Sequence, residues 1–236
     1  MSTAKTALII GASRGLGLGL VQRLLEDGWQ VTATVRNPHK AEALQALGKV
    51  QIEQLDMDDQ QAVIALSQKL KDQVFDLLFV NAGVKGPDNQ LPGHATLAEV
   101  GQLFFTNAVA PINLAQRFVG QIRKDSGVLA FMSSVLGSVT MPDAPELALY
   151  KASKAALNSM TNSFVTQLEQ KLTVLSLHPG WVKTDMGGEG ADIDVQTSTR
   201  GLIAQVNAYT GKGGHHFINY TVSYTHLRAH ETPEHL

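Results

Sequence analysis

Tyr150 and Lys154 are the residues whose types and spacing most directly suggest chemistry. They stand four apart in Leu149-Tyr150-Lys151-Ala152-Ser153-Lys154, and residues at i and i+4 share one face of a helix. A lysine ammonium beside a phenol favours the phenolate and is expected to lower a tyrosine pKa from its usual ~10. Such a tyrosine can pass a proton to or from a substrate oxygen near neutral pH. The spacing is common on helix surfaces, so its weight depends on what surrounds it.

Those surroundings are short apolar runs alternating with amphipathic stretches. The runs span 6–10, 30–35, 50–55, 75–80, 127–132, 173–177 and a weaker 216–218; helical patterns lie at 15–27, 39–47, 60–71, 97–123, 146–171 and 195–208. Continuous apolar runs of this length are typical of strands buried on both faces. Their alternation with helices predicts right-handed crossovers and a parallel, doubly wound α/β sheet in one domain. Ligands in such sheets bind beyond the carboxyl ends of the strands, and each motif below falls at such an end.

Composition narrows the function classes. The 236 residues are 44% apolar and 17% charged, with a net charge of -2 and no cysteine. The charge argues against a nucleic-acid or anionic-membrane partner. The missing cysteines exclude disulfides, a thiolate nucleophile and a cysteine metal site. The apolar run 7–10 is too short for a signal-peptide core, and nothing later approaches a membrane span; a cytoplasmic enzyme is expected. His215 and His216, being adjacent, would point to opposite faces of a strand. They and His178 read as structural, and no metal is expected. Asp58 and Asp59 read as a helix N-terminal cap.

Gly11-Ala12-Ser13-Arg14-Gly15-Leu16-Gly17 follows the first run and opens the first helix. Glycines there let backbone approach a pyrophosphate, and the helix N-terminus supplies N–H donors and positive potential. An NAD site usually carries an acid at the end of the second strand. Here that stretch reads Val35-Arg36-Asn37-Pro38. Arg14 and Arg36 instead offer guanidinium forks suited to a 2′-phosphate, which favours NADP(H) over NAD(H).

Taken together these segments resemble the short-chain dehydrogenase/reductase family, over nearly all of residues 4–220. Gly11-x-x-x-Gly15-x-Gly17 is similar to its cofactor motif, Asp56 to its adenine contact, and Asn81-Ala82-Gly83 to its packing motif after the fourth strand. Asn107, Ser134, Tyr150 and Lys154 match its catalytic tetrad, and the Pro179, Gly180, Val182 and Thr184 positions match the segment that holds the nicotinamide carboxamide. Within the family the chain looks closest to the C-factor-like reductases. The resemblance implies a Rossmann-type sheet of about seven strands in order 3-2-1-4-5-6-7. It also implies Lys154 at the nicotinamide ribose, a water held by Asn107, and pairing into a homodimer or homotetramer through the helices over 97–123 and 146–171. Leu149, Ala156, Met160 and Phe164 could form such a seam or belong to the core.

Three departures bear on this reading. Ile10 stands where many members have threonine. The interval from Ser134 to Tyr150 is lengthened by Met141-Pro142-Asp143-Ala144-Pro145, which leaves Ser133 and Ser138 open as alternatives to Ser134. Finally, Val222–Thr232 reads, residue for residue, as the in-frame translation of a transposase-type sequencing adapter, so 221–236 is expected to be a non-native tail.

The expected activity is NADPH-dependent interconversion of a small carbonyl compound and its alcohol, with Tyr150 as general acid or base. A cofactor-binding regulatory protein of the C-factor type is the alternative. Sugar-nucleotide epimerisation fits less well, because only about fifty residues follow Gly180. The substrate would lie between the loops 86–97, 136–146 and 187–196, whose shapes the sequence does not fix.

Overall fold

The computed structural model describes residues 4–140 and 143–221; the adapter-like tail from Val222 onward lies outside them. Seven strands form one sheet: β1 Thr6–Ile10, β2 Gln30–Val35, β3 Val50–Gln54, β4 Leu77–Val80, β5 Val128–Met132, β6 Thr173–His178 and β7 Gly214–Asn219. Every pairing is parallel, and the order is β3-β2-β1-β4-β5-β6-β7. The sequence expectation of a doubly wound sheet holds. Strand order reverses between β1 and β4, where carboxyl ends diverge and leave a crevice.

Alternate residues of each strand go to opposite faces, and the sheet carries two cores. Ala7 and Ile9 of β1 pack with Leu20, Val21 and Leu24 of α1 (Gly15–Glu26) and with Leu202, Ile203 and Val206 of α7 (Val195–Tyr209). Leu8 and Ile10 face the other way, toward the helices that follow β3, β4 and β5. Burial of each such side chain stabilises by about 1.5–3 kcal/mol.

The connecting helices start where short polar side chains satisfy free N–H groups. Asp59 caps α3 (Gln60–Lys69), accepting from Gln61 and Ala62. Asp58 departs from the sequence reading: its Oδ2 accepts from Gln102 Nε2 at 2.6 Å and Thr106 Oγ1 at 2.5 Å. Thr96 and Glu99 form a capping box on α4 (Leu97–Phe104). α2 is a single turn, Glu42–Gln45.

The continuous helix expected over 97–123 is broken. After α4 the backbone widens into a π turn, Phe105–Val109, then resumes as α5, Ala110–Phe118, with a 3-10 turn beyond. The other long pattern becomes α6, Ala148–Val165. Leu149 and Phe164 are buried within this chain, and Ala156 and Met160 pack against the core that holds Phe164. No helix among the described residues is long and apolar enough to cross a membrane.

β7 places its two histidines on opposite faces, as strand geometry requires. His216 Nε2 donates to Gly213 O at 2.8 Å and packs its ring on Tyr209. His215 lies between Ser176 Oγ, at 2.8 Å from Nε2, and Asn162 Oδ1. Burial, aided by the neighbouring His216, pushes His215 down to about 4, and burial alone does the same to His178. Both must fold uncharged. Between pH 6.5 and 4 the unfolded chain therefore binds more protons than the folded one. Stability is complete above pH 6.5 and is lost as pH falls toward 4, at up to about 1.4 kcal/mol per pH unit for each histidine. Thermal melts from pH 7.5 to 4.5 are expected to show a falling midpoint; a flat profile across that window would contradict this account.

Candidate active site

The crevice is built first on its glycine side. Gly11 follows β1 with φ of 84°, and a Cβ there would come within 2.8 Å of Ala82 Cβ. Its N–H donates to Thr34 Oγ1 at 3.1 Å, and its carbonyl accepts from Asn81 Nδ2 at 2.7 Å. The amides of Asn81 and Ala82 both donate to Ile10 O, at 3.0 and 2.9 Å. Asn81-Ala82 thus ties the end of β4 to the loop after β1. Gly17, in the first turn of α1, lies against that same junction. The N-cap of α1 is Arg14, whose side chain makes no capping bond. The first N–H groups of this helix therefore take no cap from their own chain end, next to backbone left bare by Gly11, Gly15 and Gly17. A dinucleotide pyrophosphate fits such a cradle.

The arginines flank this cradle. Arg36 is exposed just past β2, and Asp56 is exposed just past β3, with its Oδ1 accepting from the Asp58 N–H at 3.1 Å. Arg14, exposed like Ser13, forms an ion pair with Asp185 in the loop after β6. A Cβ placed on Gly15 would lie 3.5 Å from Thr184 Cγ2, so that loop closes over the glycine turn. Ser198 Oγ holds its start by donating to Pro179 O at 2.7 Å, and Gly180 turns it with φ of 84°. Val182 is buried and bridges Ile193, while Thr184 Oγ1 accepts from the Gly187 N–H at 3.1 Å.

Across the crevice, the loops after β4 and β5 meet α6. Ser134 is buried at the end of β5, and its Oγ accepts from the Leu136 N–H at 3.1 Å, capping a 3-10 turn. The same side chain acts on the Tyr150 phenol, opposing the rise in its pKa. The alternatives point elsewhere: Ser133 Oγ donates to Asn158 Oδ1 at 2.6 Å, and Ser138 Oγ pairs with Thr140 Oγ1 at 3.0 Å. Of the three serines the sequence leaves open, Ser134 is the one that acts on the Tyr150 phenol.

Lys154 is 4% exposed, and its Nζ donates to Met132 O at 2.9 Å. It stands 5.7 Å from the centre of the Tyr150 ring. This corrects the electrostatic expectation from the spacing. Burial pushes the Tyr150 phenol up to about 12, opposed by the nearby Ser134 side chain, and burial pushes Lys154 down to about 8. The i,i+4 spacing puts both side chains on one face, but the ammonium spends a hydrogen bond on the carbonyl of Met132 at the end of β5. At pH 7 this arrangement holds a neutral phenol and a largely protonated lysine.

Asn107 is fully buried in the π turn. Its Oδ1 accepts from the Val84 N–H at 2.8 Å, while Nδ2 donates to Val84 O at 2.8 Å and to Ser153 Oγ at 3.0 Å. Both amide edges therefore hold the strand-like segment after Gly83. A Cβ on Gly83 would lie 3.2 Å from Asn107 Oδ1 and 3.5 Å from Lys154 Nζ, so this glycine is what leaves space between them.

Two residues of this region escape the sequence reading. Asp58 joins the loop after β3 to Thr106, the neighbour of Asn107, and its Oδ1 is buried with no hydrogen-bond partner among the described residues. Gln90, inside an otherwise exposed Gly/Pro-rich loop, buries its amide against the backbone of α6. Nothing local marks either one, because both act on chain segments distant in sequence.

Comparison with known proteins shows the family. The family model described as short chain dehydrogenase matches residues 5–192. A carbonyl reductase from Pseudomonas aeruginosa, solved in complex with NADP, superposes with a TM-score of 0.86 at 39% identity, covering 92% of this chain and 97% of that one. An uncharacterised oxidoreductase of Schizosaccharomyces pombe is 30% identical over 84% of this chain and 81% of its own. The C-signal protein of Myxococcus xanthus is 33% identical over 61% of this chain and 88% of its own. With this match, the seven-stranded sheet and the Ser134–Tyr150–Lys154 grouping, the chain is an oxidoreductase that belongs to the short-chain dehydrogenase/reductase family.

Proposed function

We propose that this chain interconverts a small carbonyl compound and its alcohol with NADP(H). The observation that carries the reading is the grouping of Ser134, a Tyr150 phenol kept neutral by burial, and a buried Lys154 that stands 5.7 Å from the centre of its ring. When bound, the nicotinamide cofactor supplies or takes up the hydride. In the reductive direction Ser134, its Oγ oriented by the Leu136 N–H, donates a hydrogen bond to the substrate oxygen. Tyr150 gives up its phenolic proton to that oxygen as negative charge develops there. Lys154, still largely protonated at neutral pH, offsets the charge left on the phenolate and binds the ribose hydroxyls. Asn107 holds the turn at Val84, and its Oδ1 borders the same space as Lys154 Nζ, which suits a water passing protons between lysine and solvent.

The preference for NADP(H) rests on Arg36, with no acid beside it, and on Arg14. The NADP-bound Pseudomonas aeruginosa neighbour supports the cofactor class. Arg36→Ala is expected to weaken NADPH binding at least tenfold, about 1.4 kcal/mol, and to leave NADH binding within twofold. Fluorescence titration of the two cofactors checks this; equal losses for both would place Arg36 away from the 2′-phosphate.

The similarity to C-signal favours a second reading, a cofactor-binding protein with little turnover. Single-turnover NADPH consumption across a panel of aldehydes and ketones separates the two. Tight NADPH binding with no consumption on any carbonyl would favour the regulatory reading.

A further inference from the structure

The segment between β4 and α4 is exposed from Asp88 through Thr96, apart from Ala95, which is partly exposed, and one buried residue. Gln90 is only 2% exposed. Its Oε1 accepts from the Tyr150 N–H at 2.9 Å, and its Nε2 donates to Lys85 O at 2.7 Å. Burying a primary amide is costly unless both ends are satisfied, and here both partners are backbone.

The bond to Tyr150 has a specific place in the helix. α6 begins at Ala148, so the Tyr150 N–H is among the first-turn donors that lack an intrahelical acceptor. The helix's own N-cap, Leu147, has no side chain able to serve and makes no capping bond. Gln90 thus caps α6 from sixty residues away, at the amide of the residue whose phenol meets Ser134. The same loop is fixed at its start by Asn107, which bonds both the N–H and the carbonyl of Val84. One segment, 84–90, is therefore tied to two members of the site: by Val84 to Asn107, and by Gln90 to Tyr150.

We infer that Gln90 is a positioning residue, holding the first turn of α6 so that the Tyr150 phenol stays in register with Ser134, and linking that turn to the loop that borders the substrate. The inference rests on Tyr150 being the proton donor, and its test is built so that the two can fail separately. Misplacing a proton donor by an ångström can cost on the order of a hundredfold in rate.

Gln90→Leu removes both hydrogen bonds at similar volume. Gln90→Glu keeps an acceptor for the Tyr150 N–H, with a charge suited to a helix N-terminus, and gives up the donor to Lys85. In Gln90→Leu, amide hydrogen exchange at Tyr150 is expected to accelerate at least tenfold, with the strands unchanged. Its kcat for carbonyl reduction is expected to fall ten- to a hundredfold, while KM and the NADPH dissociation constant move less than threefold. Gln90→Glu is expected to recover kcat to within about fivefold of wild type.

Unchanged exchange at Tyr150 in Gln90→Leu would overturn the tie itself. Faster exchange with unaltered kcat would overturn the positioning role. Equal losses in both variants, with weakened NADPH binding, would also overturn it, because the glutamine would then act through general stability. If Tyr150→Phe keeps full activity, the reading of Tyr150 fails, and the exchange measurement still decides whether Gln90 caps α6.

Discussion

Tyr150→Phe is expected to lower NADPH-dependent carbonyl reduction by about a thousandfold while NADPH still binds with near-normal affinity. The phenylalanine ring fills the same space, so the packing of Lys154 against it, at 5.7 Å from the ring centre, survives. What disappears is the phenolic proton donor on which Ser134 acts. General acid catalysis is worth about 10²–10⁴, and Ser134 alone would leave the lower part of the rate. The unusual pKa values sharpen the expectation. With Tyr150 pushed up to about 12 and Lys154 down to about 8, both by burial, the phenol is a protonated donor throughout the neutral range. Stopped-flow NADPH consumption and fluorescence titration on the two proteins supply the test. A Tyr150→Phe protein within tenfold of wild type would remove the tyrosine from the chemistry.

Gly17→Ala is expected to destabilise the fold strongly although it adds only one methyl group. A Cβ at Gly17 would sit 2.0 Å from Gly11 O, 2.7 Å from Asn81 Nδ2 and 2.9 Å from Ala12 Cα. None of these can retreat cheaply, because Gly11 O and Asn81 Nδ2 are bonded to each other at 2.7 Å and that bond fastens β4 to the loop after β1. Overpacking of this kind costs about 3 kcal/mol, which lowers the melting midpoint by about 6–12 °C in a chain of this size. NADPH binding is expected to be lost with it, since the backbone that would face the pyrophosphate must move. Gly101→Ala is the control. It sits inside α4 with nothing within 4 Å of an added Cβ, and removing backbone freedom there should be neutral or stabilising by up to about 1 kcal/mol. If the two variants melt alike, the steric account of the cofactor turn is wrong.

How much of this was legible in the sequence varies by physical cause. β1, β2 and β4 announce themselves because strands buried on both faces need unbroken apolar runs, and Thr6–Ile10 and Gln30–Val35 fall where the pattern puts them. The glycine turn and Asn81 are readable because only certain residues tolerate those backbone positions. The π turn at Phe105–Val109 is not readable: apolar spacing continues across it, and one extra residue in a helical turn leaves no compositional trace. Spacing also gave the face shared by Tyr150 and Lys154 but not their headings, and so the sign of the tyrosine pKa shift came out opposite. Side-chain direction depends on what lies beyond the helix, here the free carbonyl of Met132. Asp58 was misassigned for a related reason, since its partners Gln102 and Thr106 lie more than forty residues away. Gln90 is the extreme case, a polar residue in a loop whose meaning exists only in three dimensions.

The contrast between the glycine turn and the arginines around it has a consequence for redesign. Gly11 and Gly17 are locked against neighbouring backbone, so the shape of the phosphate cradle cannot drift without cost to the fold. Arg14 and Arg36, by contrast, are exposed, and surface substitutions of that kind usually change stability by less than about 0.5 kcal/mol. If Arg14 and Arg36 hold the 2′-phosphate as proposed, coenzyme choice could be rewritten at the rim while the scaffold stays untouched, without cost to foldedness.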